Sequence, residues 1–227
     1  MAYILDKTKS LLSKTGEFLP AKGLYILESA LNYLSVGYWM RCHGFQTANF
    51  FANRDGAFRL AGNHIRDRKV LYLEFGVWKG DSMRFWSKLL TNPASMLHGF
   101  DSFEGLPDDW SSGYGKGAFS VNGNIPAIDD PRVKFFKGWF NDTVPGYRLP
   151  DHEILFVNCD ADLYSSTHTI LTYIGPHLRS GDYLYFDEFH HNHQERKAFD
   201  EFVLSSGFQF TLVGCSQSRS QVLFART

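Results

Sequence analysis

The residues best suited to chemistry in this chain are carboxylates gathered late in the sequence. Asp160-Ala161-Asp162 follows one apolar run, Ile154-Leu155-Phe156-Val157, and Asp187-Glu188 follows the next, Tyr183-Leu184-Tyr185-Phe186. Both runs read as buried strands. If the strands are parallel neighbours, the acids meet at one sheet edge. Grouped carboxylates repel unless a cation sits between them. Oxygen ligands with open water positions suit Mg²⁺. Taken singly, each acid could as well cap a helix or face water; as a set they point to a site. His190, His191 and His193 come directly after. His190 or His191 could act as a general base, with Asp160 as a rival, and a transition-metal cluster is a weaker alternative. The Asp160-Ala161-Asp162 triplet would also suit a metal-dependent glycosyltransferase that holds a nucleotide-sugar diphosphate.

A second constellation lies upstream. Leu73-Glu74-Phe75-Gly76-Val77-Trp78-Lys79-Gly80-Asp81-Ser82 follows a strand-like run and opens a helix-like one. Glycines there let the backbone approach a ligand closely, because no Cβ intrudes. Ligands of open α/β sheets bind beyond the carboxyl ends of the strands. The spacing is Glu-x-Gly-x-x-x-Gly, not the Gly-x-Gly-x-x-Gly of dinucleotide binders, so a nicotinamide oxidoreductase is disfavoured. Asp101 comes just past Phe100, at the end of the next apolar run. A carboxylate there could accept both hydroxyls of a ribose; a turn cap is the plainer role.

The elements that must position these residues can be read from periodicity. Strands are expected at residues 70–75, 96–100, 133–136, 154–157, 183–186, 208–213 and 221–225, with helices at 82–90, 165–178 and 194–205. This rhythm predicts a mostly parallel sheet covered by helices. The last two strands are too close for a helical crossover and should form an antiparallel hairpin. A parallel sheet ending in such a hairpin resembles the Rossmann-like class I methyltransferase fold. Residues 1–68 read as a helical extension or lid, with leucines 24, 27, 31 and 34 at helical spacing, and residues 69–227 as the main α/β domain. Residues 105–130, rich in Gly, Asp, Ser and Asn, read as a long loop of the kind that often carries function.

Composition narrows the partners. With 23 basic and 24 acidic residues the formal charge is −1, so nothing favours nucleic acid. Cys42, Cys159 and Cys215 form no CxxC pair, which fits a reducing, cytoplasmic setting. The apolar stretch 23–40 is interrupted by Glu28 and Asn32, which argues against a membrane span. A small-molecule partner is expected, and homo-oligomerisation is left open.

Read in order, five segments carry a resemblance. They are Leu73 to Val77, Phe100-Asp101-Ser102-Phe103-Glu104-Gly105-Leu106-Pro107, Lys137 to Thr143, Asp160 to Thr167, and Asp187-Glu188. Together they resemble the macrocin O-methyltransferase family, over about residues 70–225. The resemblance implies an S-adenosylmethionine-dependent O-methyltransferase, Mg²⁺-assisted, acting on a hydroxyl of a sugar or natural product. It places Glu74, Gly76 and Gly80 around the methionine part of the cofactor, Asp101 and Ser102 on the ribose, and Gly138 and Trp139 near the adenine. It places the metal on Asp160, Asp187 and Glu188; the family usually has Asp at the last position, so Glu188 is a departure. Metal coordination would lower the pKa of an acceptor hydroxyl and align it with the sulfonium methyl. The glycosyltransferase reading and a non-catalytic, cofactor-binding protein on the same scaffold are the alternatives.

Overall fold

The computed structural model describes residues 2–45, 49–110 and 114–227. Two helices come first, α1 (Ala2–Gly16) and α2 (Ala21–Cys42). They are followed by β1 (Phe50–Phe51), α3 (Arg54–Ile65), β2 (Val70–Phe75), α4 (Asp81–Leu89), β3 (Met96–Asp101) and β4 (Val133–Lys137). The second half holds α5 (Phe140–Thr143), β5 (Ile154–Cys159), α6 (Tyr164–Tyr173), β6 (Tyr183–Phe186), α7 (Glu195–Ser206), β7 (Phe210–Ser216) and β8 (Val222–Arg226). The strands form one sheet in the order β1-β7-β8-β6-β5-β2-β3-β4. Strands β2 to β6 run parallel, and β8 lies antiparallel between β6 and β7. The expected parallel sheet with a terminal hairpin is therefore present.

Strand β2 is central, and every one of its residues is buried. Its side chains alternate between two cores, as the two-residue period of a strand requires. Leu71, Leu73 and Phe75 join the face covered by α6 and α7, which also takes in Trp39 of α2. Val70 and Tyr72 join the other face, with Phe58 of α3 and Trp86 of α4. The same alternation sends Glu74 to the Tyr72 side.

The segment before residue 69 has two characters. α2 presents a largely exposed face, while Val36, Trp39 and Met40 are buried. By contrast β1 pairs in parallel with β7, and α3 buries Ala57, Phe58, Ala61 and Ile65. A boundary at residue 68 therefore leaves a strand and a core helix of the sheet domain on the wrong side. Their hydrophobic content was too short, or too evenly mixed with polar residues, to read as part of the sheet. No helix among the described residues is long and apolar enough to cross a membrane.

Candidate active site

Because β2 to β6 are parallel, their carboxyl ends share one edge, and a cavity of about 910 Å³ opens there. Asp101 ends β3, Asp160 follows β5, and Asp187 and Glu188 follow β6. All four line the cavity, as do Gly76, Ser102, Gly138, Trp139, His190 and His191. Glu74 and Gly80 stand outside the wall. Glu74 is buried, its carboxyl accepting a hydrogen bond from Tyr72 Oη at 2.9 Å. Gly80 caps α4 with φ +80°. His193, the third histidine of the cluster, is likewise absent from the wall.

The turn after β2 is shaped from two sides. Gly76 has φ +92°, and a Cβ there would collide with the carbonyl oxygen of Asp160. Asp101 then ties the turn down. Its Oδ2 accepts the N–H groups of Val77 and Trp78, both at 2.8 Å, and its Oδ1 accepts that of Phe103 at 2.7 Å. The capping role of Asp101 is thus realised, and Oδ1 keeps a lone pair for a further donor. Non-glycine residues with positive φ cluster at this edge: Trp78 at 50°, Phe103 at 60° and Asp162 at 58°. Such conformations carry strain that the surrounding structure must offset.

The acidic half is organised by a residue that sequence reasoning missed. Arg54 is the first residue of α3, just after Asn53, whose side chain caps the helix by accepting from Gly56 N–H at 3.0 Å. Its Nη1 lies 2.7 Å from Asp160 Oδ2, and its Nη2 lies 2.7 Å from Asp187 Oδ2. Its Nε donates to Asp187 Oδ1 at 3.2 Å, completing a two-pronged contact of the strong guanidinium–carboxylate type. Asp187 Oδ1 also accepts from Tyr185 Oη at 2.7 Å and from Gln221 Nε2 at 2.8 Å. Nothing in the sequence distinguished Arg54 from a surface arginine, because its carboxylate partners lie more than a hundred positions away.

Burial opposes the charge on Arg54, but Asp160 and Asp187 more than offset it, so the guanidinium stays protonated. One cation does not neutralise the whole group. Burial first, then neighbouring carboxylates, pushes Asp162 up to about 7 and Glu188 up to about 8. Burial pushes Asp160 up as well, and Arg54 opposes it. Burial lowers His190 to about 4 and also lowers His191, so both imidazoles are neutral near pH 7.

The donor set fits Mg²⁺ poorly as arranged. Both oxygens of Asp187 and one of Asp160 are already taken by donors. Glu188 turns away, its Oε2 lying 3.3 Å from His190 Nδ1 and 3.9 Å from His191 Nε2. Asp160 and Asp187 are brought together, but on a guanidinium; Glu188 is brought to the histidines.

The remaining wall comes from segments outside the strand–helix rhythm. Tyr25, Ser29 and Tyr33 of α2 line it, as do Trp110, Tyr114 and Phe119 of the long loop. Tyr33 stacks on His190 at 4.5 Å with the rings 7° apart. Trp110 meets His191 edge-on at 5.5 Å. Within the loop expected at 105–130, residues 111–113 lie outside the described residues.

Comparison with known proteins identifies the family and the fold. The model of a family described as Macrocin-O-methyltransferase (TylF) matches residues 67–214. A curated relative from Streptomyces olivaceus, 8-demethyl-8-(2,3-dimethoxy-alpha-L-rhamnosyl)-tetracenomycin-C 4'-O-methyltransferase, is 29% identical over 137 residues, 52% of each chain. The chain spans about half the length of the curated relatives it matches. Among solved structures, the O-methyltransferase NovP superposes with TM-score 0.56 at 26% identity, covering 75% of this chain and 76% of that one. The calicheamicin methyltransferase CalS11 superposes with TM-score 0.57 at 22% identity over the same shares, which supports the class I methyltransferase fold.

Proposed function

Since the chain belongs to the macrocin-O-methyltransferase (TylF) family, we propose that it transfers the methyl group of S-adenosylmethionine to a hydroxyl oxygen of a sugar or other natural-product acceptor. The observation that carries this reading is the division of one cavity into two halves. One half is a glycine turn pinned by Asp101, with Ser102, Gly138 and Trp139 beside it. The other is an acidic and imidazole wall faced by aromatic side chains. Family membership removes the nucleotide-sugar reading of Asp160-Ala161-Asp162.

In this reading the cofactor occupies the first half. Asp101 Oδ1 accepts a ribose hydroxyl, and the adenine lies against Trp139. Glu74 and Gly80 act from behind the wall, by setting the shape of the turn. The acceptor lies against α2 and the long loop, whose aromatic faces suit a sugar ring or an aromatic aglycone. Asp160 is the proton acceptor. Arg54 fixes its Oδ2 at 2.7 Å, and its Oδ1 has no partner among the described residues. Burial makes this carboxyl a stronger base than a solvated one. The acceptor oxygen attacks the sulfonium methyl, the C–S bond breaks as the C–O bond forms, and the hydroxyl proton passes to Asp160. The products are S-adenosylhomocysteine and a methyl ether. Arg54 supplies fixed positive charge beside the base and needs no ion to hold Asp160 and Asp187 together.

Calorimetry with S-adenosylhomocysteine tests the first half. Micromolar binding is expected, on the order of −8 kcal/mol. Asp101→Ala should weaken it by ~1.5–3 kcal/mol, the worth of a hydrogen bond to a charged group. Turnover is then sought with labelled S-adenosylmethionine against a panel of hydroxylated glycosides. A folded chain that binds no S-adenosylhomocysteine would defeat the proposal.

A further inference from the structure

A buried imidazole, a half-buried one and a carboxylate beside the Arg54 pair are left without a role in the methyl transfer. Glu188, His190 and His191 each offer one ligand atom, and these atoms lie within 4.8 Å of one another. Glu188 Oε2 and His190 Nδ1 are 3.3 Å apart. That is the edge of a tetrahedron around an ion bound at about 2.0–2.1 Å. His191 Nε2 lies 3.9 Å from the same oxygen, and the edge between the two histidine nitrogens, within 4.8 Å, has to shorten with it. We propose that Glu188, His190 and His191 form a binding site for a divalent transition ion of the Zn²⁺ or Co²⁺ class, distinct from the Asp160–Asp187 pair that Arg54 occupies.

A second observation, independent of the clustering, points to a ligand. His190 is 6% exposed, and its Nδ1 is buried without a hydrogen-bond partner; the nearby Glu188 oxygen lies outside hydrogen-bonding geometry. A buried nitrogen left unsatisfied costs free energy. An ion accepting its lone pair removes that cost. The ring is already oriented, because Tyr33 stacks flat on its face. His191 is oriented too. Its Nδ1 lies 3.4 Å from the side-chain nitrogen of Asn32, leaving Nε2 turned toward Glu188. With an ion on Nε2, the Nδ1 proton faces the Asn32 amide, whose oxygen would accept it on leaving the Asn192 N–H that it now meets at 3.5 Å. Outer partners of this kind commonly orient metal-bound histidines.

The donor chemistry selects the ion. Two imidazoles with one carboxylate suit Zn²⁺, Co²⁺ or Fe²⁺, whereas Mg²⁺ prefers an all-oxygen shell. All three residues line the cavity, so a fourth position faces the space assigned to the acceptor. The site stands apart from the methyl-transfer reading, since its test needs neither cofactor nor acceptor.

The test is a titration of the full, metal-stripped chain with Co²⁺, followed by visible absorption and by metal analysis after dialysis. Saturation near one equivalent is expected, with a band typical of four-coordinate nitrogen ligation and displacement by Zn²⁺ but not by excess Mg²⁺. His191→Ala should weaken binding at least about tenfold. Because His190 is packed on Tyr33, His190→Ala could unfold locally; His191→Ala and Glu188→Gln therefore carry the test, with thermal melting to show an intact fold. Asp187→Asn should leave Co²⁺ affinity within a few-fold. Absence of saturable binding, binding that survives His191→Ala in a folded protein, or binding abolished by Asp187→Asn would each overturn the proposal.

Discussion

The two halves of the cavity solve the same electrostatic problem in different ways. On the cofactor side, Asp101 is held by backbone N–H groups a few residues from a glycine turn, so local chain geometry satisfies the charge. On the acceptor side, Asp160 and Asp187 are held by a side chain, Arg54, that arrives from a helix far away in sequence. A backbone solution is rigid and leaves no vacancy for a cation. A side-chain solution can be exchanged: remove the guanidinium, and the same oxygens become available to something else. The first half should therefore fail as a unit when its turn is disturbed. The second should change its ligand.

The largest effect is expected from Gly76→Ala. The added Cβ meets backbone, the Asp160 carbonyl, at a φ of +92° that an L-residue rarely adopts. Backbone strain of ~1–3 kcal/mol and overpacking of a similar size, ~1–3 kcal/mol, should combine. The melting temperature should fall by several degrees and S-adenosylhomocysteine binding should be lost in calorimetry. A variant with native melting and native affinity would show that the two strand ends are not held as closely as described.

A smaller and more selective change is expected from Arg54→Ala. Asp160 and Asp187 would then face each other without a partner, which raises their demand for a cation. S-adenosylhomocysteine affinity should stay nearly unchanged, while methyl transfer falls by about 10²–10³, as when a fixed charge is taken from a reaction centre. Mg²⁺, which the parent chain should bind weakly, should partly restore activity in this variant. Full activity of Arg54→Ala in a chelator would detach the guanidinium from the chemistry. Equal Mg²⁺ affinity in both proteins would show that Arg54 does not compete with the ion.

The same contrast decides what could be read from the sequence. The sheet, its hairpin and the glycine turn were legible, because strand periodicity and left-handed glycines are local signals. So was the gathering of Asp101, Asp160, Asp187 and Glu188 at one edge, which follows once the strands are parallel. Arg54 was not legible, because its meaning lies in partners brought near only by folding, and β1 is too short to show a period. Glu74 does not line the cavity, and the reason is different. Strand alternation puts it on the Tyr72 face, away from the cavity, and a motif quoted without its pleat hides that direction. The adjacent carboxylates of the Asp-plus-Glu pair likewise diverged: Asp187 turns to Arg54 and Glu188 to the histidines.

Glu74 gives the smallest and most specific prediction, since it belongs to neither half yet lies beneath both. Burial pushes its carboxyl up to about 8, with Asp101 and Asp81 adding to the shift and Tyr72 and Arg54 opposing it. In the unfolded chain the group titrates at its ordinary value, near 4.5. Between these two values the folded state holds a proton that the unfolded state has released. Stability from this group is therefore full below about pH 4.5 and is lost as pH rises toward 8. Glu74→Gln keeps an oxygen for the Tyr72 hydroxyl and removes the ionisation. At pH 5 its melting temperature should match the parent's, apart from any small packing cost. At pH 8.5, which lies above the folded value of about 8, it should melt higher, by roughly 2–4 °C for each kcal/mol recovered in a chain of this size. The histidines run the other way, since His190 at about 4 loses stability as pH falls from 6.5, so their contribution is separated by working above pH 6.5. Parallel melting curves for parent and variant from pH 6.5 to 8.5, the range above the histidine window, would mean that Glu74 is already ionised in the fold. It would then be a charge partner of Arg54 through the sheet edge, and the cation would be serving three carboxylates instead of two.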